Sequence, residues 1–178
     1  KDGAVYPDKD DSGVPGMTEN PDFHGLYERR HSGNEEVNYL ASYRFMIKIG
    51  NEYGKGKTYT SVSKADIPGL TDTSYSRIRS MMANLQKKSF FKNYSNANKK
   101  AFVFGVAMHT STDTFAHSTY RYYNGTWYSI THAINEKKGQ YKKNEADNSK
   151  FVPERFDMAY RAERNTLYRY QGKRSDVA

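Results

Sequence analysis

The chain has 178 residues, which is enough for one domain with a substantial core and too few for two large domains. It has no cysteine, which excludes disulfides and thiolate zinc sites, and no apolar run approaches the roughly 20 residues of a membrane helix. The net charge of +8 is spread in short basic pairs, which suits an anionic partner and excludes a concentrated nucleic-acid-binding tail.

The predicted elements begin with an irregular N-terminal arm, residues 1–22, which contains three of the five prolines. Hydrophobic periodicity and capping residues then predict helices at 22–30, 35–53, 72–88, 101–120, 129–136 and 153–170. A short strand is predicted at 58–62, a hairpin around Asn124-Gly125 and a polar loop at 137–150. The predicted fold class is all-α, a single helical metal-binding domain (residues 23–178) of four to six helices.

A repeat of metal-ligand residue types lies on the fourth of these helices, where His109, Asp113 and His117 recur at every fourth position. A helix turns about 100° and rises about 1.5 Å per residue, so the three share one stripe about 12 Å long. One ion is too small to bind both histidines, and the spacing therefore predicts two metals about 3.5–4 Å apart with Asp113 bridging them or serving one. The alternative is a hydrogen-bonded stripe in which Asp113 orients an imidazole.

A second pair, His132 and Glu136, has the same spacing and lies on one face of a predicted helical turn. Together with His117 it supplies two imidazoles and one carboxylate, a ligand set of catalytic zinc sites that leaves a fourth position for water. His24 is the first candidate to complete the ligands of His109 and Asp113. An exposed pair without a metal remains the alternative for His132 and Glu136.

Residues 105–117 read Gly-x-x-x-His-x-x-x-Asp-Thr-Phe-Ala-His, which resembles the metal-binding helix of the zinc-dependent phospholipase C and single-strand nuclease superfamily. The chain is especially similar to uncharacterised bacterial relatives, which open with the Asp-Phe-His found here at 22–24. The His-x-x-x-Glu at 132–136 is similar to a further motif of the superfamily. The resemblance implies an all-α domain, up to three zinc ions and phosphodiester hydrolysis by metal-activated water. Unlike well-studied members, this chain has no histidine between His31 and His109.

A second ion site is suggested by residues 8–19, whose spacing matches an EF-hand calcium loop. Its candidate calcium ligands are Asp8, Asp10, Ser12 and Glu19. A solvated acidic turn is the alternative, because too few residues precede this stretch for an entering helix and Pro15 replaces a small apolar residue. If calcium binds, its role is to order the arm beside His24.

The sequence thus predicts a zinc-dependent, phospholipase C-like hydrolase that acts on an anionic phosphate ester. A membrane surface or a single-stranded nucleic acid is a further predicted partner, which the aromatic residues of the predicted hairpin suit. Those residues are Tyr122, Tyr123, Trp127 and Tyr128, and packing at the rim of the core is their alternative role. Two alternatives stay open: a non-catalytic, zinc-stabilised binding or structural domain, and a basic single-stranded nucleic-acid-binding or nuclease module. The start at Lys1 without Met predicts that a leader or an upstream segment has been removed, which favours a secreted or cell-surface bacterial protein; an engineered start explains it equally well.

Overall fold

The computed structural model describes residues 2–8, 22–24, 39–117, 119–123, 126–130 and 153–173, with side chains omitted at 116, 117, 154, 155 and in both strands. Over these residues the protein is helical, which confirms the predicted all-α class. The α-helices are α1 (Tyr39–Gly54), α2 (Asp72–Lys87), α3 (Ser89–Lys92), α4 (Asn96–His117) and α5 (Pro153–Tyr170). Strands β1 (Thr119–Tyr123) and β2 (Thr126–Ile130) form one antiparallel hairpin.

Helix α4 is the centre of the fold, because α1, α5 and a short N-terminal 3-10 helix (Asp2–Val5) all pack against it. Its side chains Val103, Val106 and Ala107 are completely buried. Lys100 donates from its Nζ to the carbonyl oxygen of Tyr170, 2.8 Å away, and so stabilises the C-terminal end of α5. None of the described helices is long and apolar enough to cross a membrane.

The boundaries of the helices follow local signals closely. Thr71 caps α2 by accepting a hydrogen bond from the backbone N–H of Ser74, one residue before the caps predicted. Helical spacing predicts an inward face of α2 at Tyr75, Ile78, Met81, Met82 and Leu85, and the last four are buried while Tyr75 is half-buried. α5 begins at Pro153 and ends at Tyr170, as predicted.

Several local predictions were wrong. Residues 59–61 form a 3-10 helix rather than a strand, because the hydroxyl of Thr58 accepts from the N–H of Thr60 and closes the turn. The fourth predicted helix ends at His117, and 119–123 form β1, which pairs across the predicted Asn124-Gly125 turn with β2. Residues 129 and 130 belong to β2 instead of a helical turn.

The buried side of α5 also differs from the prediction. Phe156, Met158 and Leu167 are about half exposed, whereas Thr166 is buried and the small side chains of 159 and 162 are half-buried. The smaller residues thus lie on the covered side of α5, and the larger apolar side chains lie on its exposed side. Helical spacing predicts a buried side that includes both small and large residues, and the small ones agree better with the structure. The predicted residues are Phe156, Met158, Ala159, Ala162, Leu167 and Tyr168.

The N-terminal residues 2–8 lie directly against α4, and two glycines permit this close approach. A Cβ atom on Gly3 would lie 2.0 Å from the carbonyl oxygen of Phe102, and one on Gly105 would lie 2.8 Å from the nitrogen of Ala4. Both contacts are with backbone atoms, which cannot rotate away. The arm predicted as irregular is therefore anchored at its start, and this anchoring places Asp8 beside the polar half of α4.

Candidate metal centre

Three separate segments converge at the second half of α4. The N-terminal segment supplies Asp8, the turn at 22–24 supplies His24, and α4 supplies His109 and Asp113 from adjacent turns of one face. The two α4 residues are neighbours because residues four apart lie on the same side of a helix. The centre therefore contains two imidazoles and two carboxylates, and each carboxylate approaches both imidazoles.

The donor atoms are close together. His24 Nδ1 lies 3.4 Å from His109 Nε2 and 3.2 Å from Asp113 Oδ2, and His109 Nε2 lies 3.1 Å from Asp113 Oδ2. Asp8 Oδ1 lies 3.8 Å from His24 Nδ1 and 3.6 Å from His109 Nε2. Asp8, His24 and His109 alone already meet the spacing of a metal-binding group.

These distances fit a four-coordinate ion. Zinc binds nitrogen and oxygen ligands at about 2.0–2.2 Å, so ligand atoms at the corners of a tetrahedron are about 3.3–3.6 Å apart. The five measured distances between donor atoms, 3.1–3.8 Å, lie around that value. The group whose donor atoms all lie near one another is Asp8, His24 and His109, and Asp113 approaches both imidazoles from α4.

The tautomer of His109 strengthens the argument. Its Nδ1–H donates to the carbonyl oxygen of Ala4, 2.9 Å away, so the neutral ring directs the Nε2 lone pair at Asp113. A lone pair facing a carboxylate at 3.1 Å is unfavourable unless a proton or a metal ion lies between them. Histidine ligands of metals commonly have their second nitrogen fixed in this way.

The negative surroundings of the His109 ring also affect its protonation. Burial lowers the pKa of His109, but the hydrogen bond and charge of Asp113, the charge of Asp8 and the Ala4 carbonyl together raise it above its ordinary value. The cluster thus attracts positive charge, which a proton supplies when no metal is bound.

Burial divides the four side chains into two classes. His24, His109 and Asp113 are 4%, 9% and 16% exposed, whereas Asp8 is 59% exposed. Three of the donor groups are therefore fixed in the protein interior, and the fourth approaches from the solvent side.

Of the residues predicted as ligands, the structure brings together His24, His109 and Asp113. His117 is the last residue of α4, two turns beyond His109, so their Cα atoms are about 12 Å apart. Its side chain, together with His132 and Glu136, lies outside what the structure describes. The same holds for Asp10, Ser12 and Glu19 of the predicted calcium loop.

Sequence reasoning missed two contributions to the centre. Asp8 was assigned to the calcium loop, whereas here it lies beside two imidazoles, and the carbonyl of Ala4 had no sequence signal. The only available indication was the pair Gly3 and Gly105, since glycine permits close backbone approach. Gly3 and Gly105 are about a hundred residues apart, so the local sequence pattern does not predict that they meet.

The chain was also compared with protein-family models, with curated proteins and with solved structures, and none of the three comparisons gave a match. The resemblance of residues 105–117 to zinc-dependent phospholipases and nucleases therefore stays a prediction. The centre itself is defined by its geometry: a buried pair of histidines and an aspartate on α4 and its partner turn, open to solvent on the side of Asp8.

Proposed function

We propose that the chain is a zinc-dependent hydrolase of phosphate diesters, in which His24, His109 and Asp113 hold the ion. The observation that supports it best is the unequal burial of the donor groups: three are fixed in the interior and Asp8 is exposed. Two imidazoles and one carboxylate with an exchangeable fourth position are typical of catalytic zinc sites, whereas structural sites are closed.

The donor set favours zinc over calcium or magnesium. Imidazole nitrogens suit zinc and neighbouring transition metals, and the hard cations calcium and magnesium take oxygen ligands. Two of the four converging atoms here are nitrogens. The centre that contains Asp8 is therefore proposed as a zinc site, and a calcium loop would have to use the other acidic residues of 8–19.

Zinc bound at this centre would supply Lewis acidity for the activation of water and the polarisation of a phosphoryl oxygen. The chain's own contribution is to fix three ligands and to keep Asp8 beside the fourth position as a proton acceptor. The attacking water gives its proton to Asp8 as its oxygen bonds to phosphorus. The bond to the leaving oxygen then breaks, and Asp8 returns the proton to that oxygen. The net charge of +8 favours an anionic substrate.

A second candidate function is supported by a different observation. The four donor groups come from three chain segments, so an ion would tie residues 2–8 and 22–24 to α4. A structural ion of this kind stabilises the fold without catalysis. In that case Asp8 is a permanent fourth ligand.

The variant Asp8→Asn separates the two functions. Purified wild-type protein is expected to contain zinc by elemental analysis and to hydrolyse bis(p-nitrophenyl) phosphate in a reaction that a chelator abolishes. Asp8→Asn in the catalytic case retains zinc and loses turnover by about 10²- to 10⁴-fold, the range for general acid–base catalysis. A structural site predicts loss of zinc in Asp8→Asn and no turnover in either protein. Protein without affinity for zinc would contradict both functions.

The number of ions is tested by His117→Ala. If two ions bind, with Asp113 between them, this variant is expected to retain one zinc at His24, His109 and Asp113 and to lose the other. Zinc content that is identical in wild type and variant would leave His117 outside the centre. Elemental analysis after exhaustive dialysis measures the difference.

A further inference from the structure

A buried carboxylate outside the metal centre lies two residues before His24. Asp22 is completely buried. The hydroxyl of Ser42 on α1 donates to its Oδ1 at 2.7 Å, and Arg77 Nη1 on α2 lies 3.5 Å from its Oδ2. The two oxygens of one side chain thus bind two different helices.

Such an arrangement is costly to maintain. Removing a carboxylate from water is unfavourable by several kcal/mol, and a charged partner and hydrogen bonds offset this only in good geometry. An apolar residue would fill the same space without that penalty. The polar contacts do what an apolar residue could not: their hydrogen bonds fix the orientation of the Asp22 side chain and of the backbone that carries it.

The other side of the same turn is fixed to α4. Phe23 is completely buried, and its carbonyl oxygen accepts a hydrogen bond of 3.1 Å from the hydroxyl of Thr110. Thr110 follows His109 directly in the chain. The turn is therefore attached to α1 and α2 through Asp22 and to the metal-ligating part of α4 through Phe23, and His24 is the next residue.

We propose that Asp22 is a positioning residue for the metal centre: its bonds to Ser42 and Arg77 hold the turn so that His24 Nδ1 lies 3.4 Å from His109 Nε2. This inference rests on metal binding at the proposed centre and is independent of whether the centre hydrolyses anything. It links the affinity for the ion to contacts on α1 and α2 that do not touch it.

The test uses Co²⁺ as the probe, because its visible absorption reports the number and geometry of nitrogen and oxygen ligands. Asp22→Asn and Ser42→Ala are expected to bind Co²⁺ about 10- to 100-fold more weakly than wild type, the range found when outer-shell partners of metal ligands are removed. Their cobalt spectra are expected to weaken as the set of protein ligands loosens. Ser42→Ala removes one hydroxyl and leaves Arg77 in place, so it serves as the milder variant if Asp22→Asn fails to fold.

The matched control is Tyr53→Phe. Tyr53 is also buried on α1 and donates to Gln86 on α2 at 2.6 Å, so its loss perturbs the same pair of helices. It lies eleven residues from Ser42, about 16 Å along the helix, and away from the turn. Tyr53→Phe is expected to lower the melting temperature and leave cobalt affinity and spectrum unchanged.

Three outcomes are distinguishable. Weaker binding in Ser42→Ala, and in Asp22→Asn where that variant folds, with unchanged binding in Tyr53→Phe supports the positioning role. Full affinity and an unaltered spectrum in Ser42→Ala, whether or not the protein is less stable, overturn it and leave the metal centre intact. A wild-type protein that does not bind cobalt overturns the proposed zinc centre itself and the positioning role with it.

Discussion

The two halves of α4 both contact the N-terminal segment, but through different kinds of interaction. In the first half, Gly105 receives the backbone of residues 3 and 4 in direct van der Waals contact. In the second half, His109 binds the same segment by a hydrogen bond to Ala4 and approaches Asp8.

The two halves of α4 differ in the conditions under which their contacts are stable. Apolar close packing requires only matching shape and is insensitive to ions and pH. His109, whose neutral ring turns a lone pair towards Asp113, requires an added positive charge, from a proton or from a metal. We therefore expect the effects of metal and pH on stability to originate in the second half of α4. Substitutions that change the shape of the first half are expected to affect the packing there and also the metal centre in the second half.

The largest expected effect is the loss of stabilisation by zinc in His109→Ala. An ion present at about a thousand times its dissociation constant stabilises the folded state by about 4 kcal/mol, and removal of a central ligand eliminates this gain. Urea denaturation of both proteins, with and without zinc, measures the difference. His31→Ala, a histidine with no predicted ligand role, is the control and should keep the zinc response. An equal zinc response in His109→Ala would place the ion elsewhere.

Next in size is Gly3→Ala, which tests whether the packed half supports the polar half. The added methyl group would overlap the Phe102 carbonyl, so we expect a loss of about 1–3 kcal/mol, as for other overpacked sites. Because Asp8 is held by the same segment, zinc affinity should fall as well. Gly54→Ala is the control, since its methyl group meets only the flexible chain of Lys100. Unchanged zinc affinity in a destabilised Gly3→Ala would show that the two halves are independent.

A pH effect of intermediate size distinguishes protonation of His109 from the binding of zinc to it. The pKa of His109 is raised in the metal-free fold, so its protonated form stabilises the protein below its unfolded pKa, about 6.5, and this contribution is lost as pH rises through the folded value. Zinc needs the neutral ring, so zinc affinity should rise with pH over this window, about tenfold per unit for one competing proton. Zinc titrations at several pH values test this. Affinity that is constant across the window would exclude His109 as a ligand.

The smallest effect is expected from a hydrogen bond that lies outside both contacts between α4 and the N-terminal segment. Tyr43 on α1 forms a buried hydrogen bond of 2.9 Å with Thr166 on α5. Tyr43→Phe should cost about 0.5–1.5 kcal/mol, the usual net value of one hydrogen bond, and leave zinc affinity unchanged. Thermal unfolding with and without zinc measures both quantities. A change in zinc affinity would show that the centre responds to general loosening of the fold.

Sequence was sufficient wherever local chemistry decides the outcome. Capping residues and a proline located the starts of α2 and α5 within one residue, and the Asn124-Gly125 pair predicted the hairpin that β1 and β2 form. The spacing of His109 and Asp113 placed both on one face of α4, because helical geometry is the same in every protein. These features depend on neighbours within a few positions.

Only the tertiary structure decided which distant groups join that face. His24 and Asp113 are 89 residues apart, and Ala4 and His109 are 105 apart, so no local period connects them. Their meeting depends on packing: two glycines admit the N-terminal segment, and a buried Asp22 fixes the turn before His24. Periodicity determines the direction in which a side chain points, but the partner it meets is set by the closest packing of whole elements, which is a property of the complete chain.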